Sequence, residues 1–269
     1  MSDRLLLRLA ADGALTWLRQ AGAAASASNV GAPPSSALAA AGEVVVFVPS
    51  EDVWLGETRL AARSRAQLAQ ALPFAVEDQL LGTLEELHFA AARGDGDHVG
   101  VAVVAKERMR AWLARLAEAG VRADVLVPES LALPLAPGRA GALIEDARAV
   151  VRLAPWSAFA CMPAELPSWL AQAEAGGALA PLDVQDFRDA PALALPVEVA
   201  SYRERQCDPL AALAAAWSAP QRAPAANLLD GEFAPAHGAA RGARAWRRAG
   251  ALAAAVALLA LLNLGADVL

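Results

Sequence analysis

The chain has 269 residues, 57% of them apolar, and a formal net charge of −6 from 23 basic and 29 acidic side chains. That length suits one large domain or two to three small subdomains. Nucleic-acid binding needs a basic face to neutralise phosphates, and no basic excess exists, so no nucleic-acid partner is expected.

In chain order, the N-terminal run Leu5-Leu6-Leu7-Arg8-Leu9 is broken by Arg8 and then Asp12, which excludes a signal peptide and predicts a cytoplasmic domain. Leu5 to Leu9 and Leu15 to Leu18 flank Asp12-Gly13, which predicts a hairpin. Residues 21–42 are rich in Ala, Ser, Gly and Pro without an apolar period and read as a loop. Val44 to Val48 reads as a buried strand closed by Pro49, and Val53 to Arg59 as another. Ser64 is placed to cap a helix carrying Leu68 and Leu72, which Pro73 interrupts; Glu77 to Leu81 resumes it. Leu87 to Ala92 and Val99 to Ala105 predict two strands around the turn residues 93–97. Lys106 to Ala119 is an amphipathic helix with Met109, Trp112, Leu113 and Leu116 on one face and Gly120 as its stop.

Val125 to Pro128 predicts the strand that leaves this helix. Ala142 to Ile144, Ala149 to Leu153, Leu182 to Phe187 and Val197 to Tyr202 predict further strands. Trp169 to Ala175 and Leu210 to Trp217 predict helices. From 218 to 245, Pro220, Pro224, Gly231, Pro235, Gly238 and Gly242 predict a tether.

Ala249 to Leu262 contains no polar side chain, and the apolar run resumes after Asn263. Eighteen helical residues at about 1.5 Å each reach roughly 27 Å, near the bilayer's hydrocarbon thickness. Arg241, Arg244, Trp246, Arg247 and Arg248 precede the run and mark a cytoplasmic membrane boundary. The alternative is a buried Ala/Leu helix. All-round apolarity, a preceding tether and a basic collar favour the membrane span. The run stops at Leu269, so the chain is either a fragment or lacks a periplasmic part.

Catalytic signals are sparse. A P-loop needs a lysine within G-x-x-x-x-G-K-[ST], and the single lysine, Lys106, has no such glycines before it. No G-x-S-x-G is present. His88 and His98 flank a predicted hairpin and read either as exposed strand-end residues or as a weak metal pair. The two cysteines, Cys161 and Cys207, lie far apart outside any C-x-x-C pair, and read as reduced thiols.

Four segments carry a family resemblance. They are Leu72-Pro73-Phe74-Ala75-Val76-Glu77-Asp78-Gln79-Leu80 through His88-Phe89, then Val101 to Pro128, then Pro128-Glu129-Ser130-Leu131-Ala132-Leu133-Pro134, and the most specific, Asn227-Leu228-Leu229-Asp230-Gly231-Glu232-Phe233-Ala234-Pro235. In this order they resemble type II secretion system protein L.

The resemblance implies an α/β (mixed α+β), actin-like and RNase H-like cytoplasmic region, related to the pilus-assembly protein M and the division protein FtsA. It implies this division: 1–63, the N-terminal part of the first actin-like half; 64–127, an inserted α+β subdomain; 128–217, the remainder; 218–245, a tether; and 246–269, a transmembrane segment in a bacterial inner membrane. The family's small periplasmic domain is not in this sequence.

The implied function is a non-catalytic adaptor, a homodimer, that recruits the secretion ATPase (protein E) and pairs with inner-membrane proteins M and F. The alternative is an actin-like ATPase. Actin-like phosphate hairpins carry Asp-x-Gly with nearby Thr or Ser. The first hairpin here offers only Asp12-Gly13, and the second, Leu143-Ile144-Glu145-Asp146-Ala147-Arg148, lacks Gly and Thr. No nucleotide or other cofactor is therefore expected. The ATPase-docking surface is expected to include Pro73, Phe74, Glu77 and Asp78, or to be an exposed strand edge of the inserted subdomain; the alternative for Pro73 and Phe74 is that they only close a helix and fill the core.

Overall fold

A computed structural model describes residues 3–22, 24–62, 64–204, 208–217 and 225–235. The chain divides after Asp230 into two units; of the second, the described part is a single 3-10 turn, Gly231–Phe233, with the residues just after it.

The first unit opens with β1 (Asp3–Leu9) and β2 (Leu15–Ala21), an antiparallel hairpin in which Leu6 pairs with Leu18. Its turn is wider than a two-residue loop. Gly13 takes φ +83, and the Asp12 carboxylate accepts the Ala14 N–H at 2.9 Å. The stretch expected to be a plain loop instead contains β3 (Ala24–Ala25), β4 (Asn29–Val30) and the short helix α1 (Ser35–Ala40). Both strands pair with β2, whose outer backbone groups would otherwise lack partners. Then β5 (Glu43–Val48) pairs in parallel with β1, and every residue from Val44 to Val48 is buried, as a strand covered on both faces requires.

A second sheet follows, built from β6 (Val53–Arg59), β7 (Leu87–Arg93) and β8 (His98–Ala105) in the order β6-β8-β7, with α2 (Arg65–Val76) against it. Leu68, Leu72 and Val76 of α2 meet Val99, Val101 and Val103 of β8. Ser64 caps α2, its hydroxyl accepting the Gln67 N–H at 3.1 Å. Pro73 does not interrupt the helix, contrary to expectation. It sits in the last turn, where its missing N–H removes a single backbone bond.

Helix α3 (Lys106–Glu118) buries Met109, Trp112 and Leu116 and ends as expected at Gly120. Gly120 takes φ +70, its N–H reaches the Ala117 carbonyl at 2.9 Å, and the Val121 N–H reaches the Leu116 carbonyl at 2.8 Å. Strand β9 (Val125–Pro128) then pairs in parallel with β5. The small sheet thus gains β6, upstream of the expected boundary at 64, while β9 belongs to the first sheet.

The third sheet comprises β10 (Ala140–Ile144), β11 (Ala149–Ala154), β12 (Ser157–Cys161), β13 (Leu182–Asp186) and β14 (Val199–Glu204). Leu166 and Leu170 of α4 (Leu166–Ala175) pack on it with Ile144, Val151 and Val184. β12 carried no sequence expectation. Its order, β12-β11-β10-β13-β14, repeats β3-β2-β1-β5-β9, and both sheets run antiparallel on one side of the central strand and parallel on the other. The chain has built one topology twice.

Helix α5 (Pro209–Trp217) joins the two copies. Leu210, Leu213 and Trp217 share a core with Leu6, Phe47, Leu143 and Val150, and Phe47 meets Trp217 edge to face at 5.7 Å.

Residues 225–230 differ from the expected tether. Ala226 and Leu228 are fully buried. The physical reason is local: Leu228 N–H donates to the Leu126 carbonyl at 2.8 Å, and the Asn227 carboxamide accepts the Leu126 N–H at 2.9 Å, so the segment completes the open edge of β9. Among the described residues no helix is long and apolar enough to cross a membrane. The expected span at 246–269, with Arg244, Trp246, Arg247 and Arg248, lies outside the described residues.

Candidate functional site: a charge-filled crevice and an exposed helix end

In open α/β sheets, ligands settle beyond the carboxyl ends of the parallel strands. Five charged side chains meet there in this fold. Arg8 comes from the end of β1; Glu51, Glu129 and Glu145 follow β5, β9 and β10; Arg148 precedes β11. Arg8 Nε donates to Glu129 at 2.7 Å and Arg8 Nη1 to Glu145 at 2.7 Å, and Arg8 Nη2 bonds the second Glu145 oxygen. Arg148 Nη1 donates to both oxygens of Glu51 at 2.9 Å, and its other groups pair with Glu129 and Glu145.

The cluster is enclosed. The side chains of Arg8 and Glu129 are only 10% and 2% exposed. Burial, and then the nearby Arg8 charge, push the Arg148 guanidinium below its ordinary pKa, against an upward pull from Glu51. Two arginines face three glutamates, an excess of one negative charge.

Of the two hairpins considered for phosphate binding, the first, at 10–14, follows Arg8, and the second, at 145–148, supplies Glu145 and Arg148 to the cluster. The first is held from outside, where Arg115 of α3 donates to the Gly13 carbonyl at 2.9 Å. A polyphosphate needs converging N–H donors and cations. Here both arginines are already paired with carboxylates. The residues do not fit a nucleotide's phosphates. Sequence reasoning flagged Glu145 and Arg148 but missed Arg8, Glu51 and Glu129 as a group. The available signal was Arg8 itself, a charge inside an otherwise apolar strand.

The second feature is the C-terminal end of α2. Phe74 is 72% exposed and Leu81 is 95% exposed, so Phe74 does not fill the core, whereas Pro73 is half-buried. Glu77 and Asp78, in a 3-10 turn, are exposed alongside, and so are Glu85 and Glu86. Phe74, Glu77 and Asp78 are thus all exposed, three and four positions apart at the end of α2.

The histidines do not form a pair. His88 is buried, with Nε2 2.8 Å from the Leu228 carbonyl, and His98 Nδ1 lies 2.7 Å from Glu57. His88 thus departs from the expected exposed strand end, because residues 225–230 cover it. Among the described residues no His, Cys, Asp and Glu grouping could hold a metal. Cys161 is a free thiol that burial, with Glu165 beside it, pushes up to about 11; Cys207 lies outside the described residues.

A profile of the family described as "Type II secretion system (T2SS), protein L" matches residues 15–236. The chain belongs to the type II secretion system protein L family. Protein L of Dickeya chrysanthemi is 45% identical over 91 residues, which is 34% of this chain and 23% of that relative. Protein L of Klebsiella pneumoniae is 35% identical over 139 residues, 49% of this chain and 35% of that one. The matched stretches therefore span between about a quarter and a third of these relatives.

The cytoplasmic domain of EpsL from Vibrio cholerae, described as an inner membrane component of the type II secretion system, superposes with a TM-score of 0.65. That match has 22% identity and covers 86% of this chain and all of that domain. It establishes that the two share a mixed α/β fold.

Proposed function

We propose that this chain is a non-catalytic adaptor at the bacterial inner membrane, which recruits the secretion ATPase (protein E) to a platform containing proteins M and F. The duplicated sheet order supports reading the described region as an actin-like pair of halves. One observation carries the adaptor reading. The crevice that would hold a nucleotide is filled by Arg8, Arg148 and three glutamates from both halves. With its cations paired internally and its excess charge negative, the crevice repels a polyphosphate.

Recruitment is assigned to the exposed end of α2. Phe74 and Leu81 supply an apolar centre, and Glu77, Asp78, Glu85 and Glu86 an acidic rim, which suits a partner surface that is apolar within a basic border. Expected membrane anchoring rests on the apolar run at 249–262 and its arginine collar.

The test is co-elution of the full chain, in detergent, with the secretion ATPase of the same system, together with calorimetry against Mg-ATP. The adaptor reading expects a complex that weakens as salt rises and no heat from Mg-ATP. Micromolar nucleotide binding by the chain alone would establish the alternative, an actin-like ATPase.

A further inference from the structure

We propose that residues 227–230 act as a latch that couples helix α2, and with it the docking face, to the edge of the first sheet. The segment has three anchors. The first is β9, the last strand of its sheet. Leu228 pairs with Leu126 there, and Asn227 bonds Leu126 N–H through its carbonyl oxygen and the Asp124 carbonyl through its amide at 3.1 Å. The second is β7. A carbonyl can only accept, so His88 Nε2 carries a proton and donates it to the Leu228 carbonyl. The third is α2, where Arg65 holds Asp230 at 2.6 Å.

These anchors belong to different sheets. β9 extends the main body, whereas β7 and α2 belong to the small sheet and its helix. Four consecutive residues therefore clamp two substructures that the chain otherwise joins through β6 and α3.

Helix α2 carries the latch contact at its first residue and the exposed Phe74 near its last turn. Twelve residues make a rigid rod of about 18 Å. Along it, Leu68 and Leu72 line a cavity of about 240 Å³ shared with Phe89, Arg93 and Asp230. Arg65 and Asp230 line the same cavity, so a tilt of the helix into it changes their separation. A load at the Phe74 end is felt at Asp230, and loosening Asp230 frees the Phe74 end.

The trigger in this scheme, a partner on the docking face, rests on the function proposed above; the coupling itself does not. Hydrogen exchange on the full chain tests it without a partner. Asp230→Asn and Arg65→Gln each remove one exposed ion pair and leave the core intact. Each is expected to raise exchange about twofold to fivefold both at Leu228 and Leu229 and at residues 74–79. The swapped pair Arg65→Asp with Asp230→Arg is expected to restore wild-type exchange at both places. An increase confined to 227–230, or none at either place, overturns the latch. Addition of the secretion ATPase is then expected to slow exchange at both sites. Failure of that protein to bind at all sinks the docking reading and leaves the variant comparison to judge the latch.

Discussion

The two copies of the sheet share strand order and orientation but differ in what fills their last crossover. Between β5 and β9 the chain inserts a whole sheet with α2 and α3, whereas between β13 and β14 it crosses in twelve residues, 187–198. The first copy thus became a carrier for a projecting element, and the second stayed lean. The lesson is that a crossover between parallel strands tolerates large additions without disturbing the strands it connects, because loop-closure cost grows only slowly with length. What keeps the loaded copy and the lean copy in one arrangement is a set of joints between them, and each joint can be broken separately.

The charged cluster is the joint where a single substitution is expected to cost most. Arg8→Ala leaves Glu129, 2% exposed, with one cationic partner in place of two. Breaking a buried pair from one side costs about 3–5 kcal/mol. A denaturant titration is expected to show that loss, with an unchanged m-value if both copies still unfold together. A loss under about 1 kcal/mol would mean that the halves are held elsewhere, by α5 and the core around Phe47.

The next joint is between the inserted sheet and the lean copy. Trp156, just before β12, lies flat over Gly100 of β8, where an added Cβ would fall 1.7 Å from the indole. Gly100→Ala must displace that ring and is expected to cost about 1–3 kcal/mol. Gly96, where an added Cβ meets nothing within 4 Å, is a poor control because its φ of +63 strains any side chain. Ala92→Gly, in the same sheet, separates backbone entropy from the clash.

A third prediction concerns the far edge of the lean copy and its pH response. Arg188 donates to Asp186 at 3.0 and 2.7 Å, and the Tyr202 hydroxyl donates at 2.7 Å. Burial raises the Asp186 carboxyl, but these donors outweigh it and hold the pKa below the ordinary value. A depressed carboxylate stabilises the fold fully above its unfolded pKa of about 4, and that stability is lost as pH falls through the lower folded value. Tyr202→Phe removes one donor. It is expected to cost about 1 kcal/mol at pH 7 and to flatten the stability loss as pH falls below the unfolded value of about 4. Equal acid slopes for wild type and variant would exclude Asp186 as a contributor.

Much of the fold was legible because the signals were local. Val44 to Val48 is a continuous apolar run, Ser64 has a cap's chemistry, and Gly120 follows a regular amphipathic helix. The elements that escaped were those whose reason for existing is another element. β3 and β4 form because β2 has a bare edge, and β12 forms because β11 has one. Residues 225–230 look like linker by composition, yet they are fixed by Leu126, His88 and Arg65, all distant in sequence. The crevice was half legible for the same cause. The first hairpin could be read for its adjacent Asp12-Gly13 in place of Asp-x-Gly and the second for its missing Gly and Thr, but only the fold shows that Arg8 and Glu129, 121 positions apart, meet.

The smallest expected effect falls at the projecting end of the insert, and its smallness is the point. Phe74, 72% exposed, has little area to lose from the folded protein. Phe74→Ala is expected to change stability by under about 0.5 kcal/mol, in contrast to every joint above. Exposed aromatics that anchor an interface commonly lose 2 kcal/mol or more of binding on truncation, about thirtyfold in affinity. Glu77→Lys with Asp78→Lys is expected to act mainly on association rate and to lose its effect at high salt, as rim charges do. A surface that matters for neither stability nor binding would make Phe74 an ordinary exposed residue and move the search for the docking face to another part of the insert. A large stability loss would instead show that this helix end is buried in the working protein, against a partner copy.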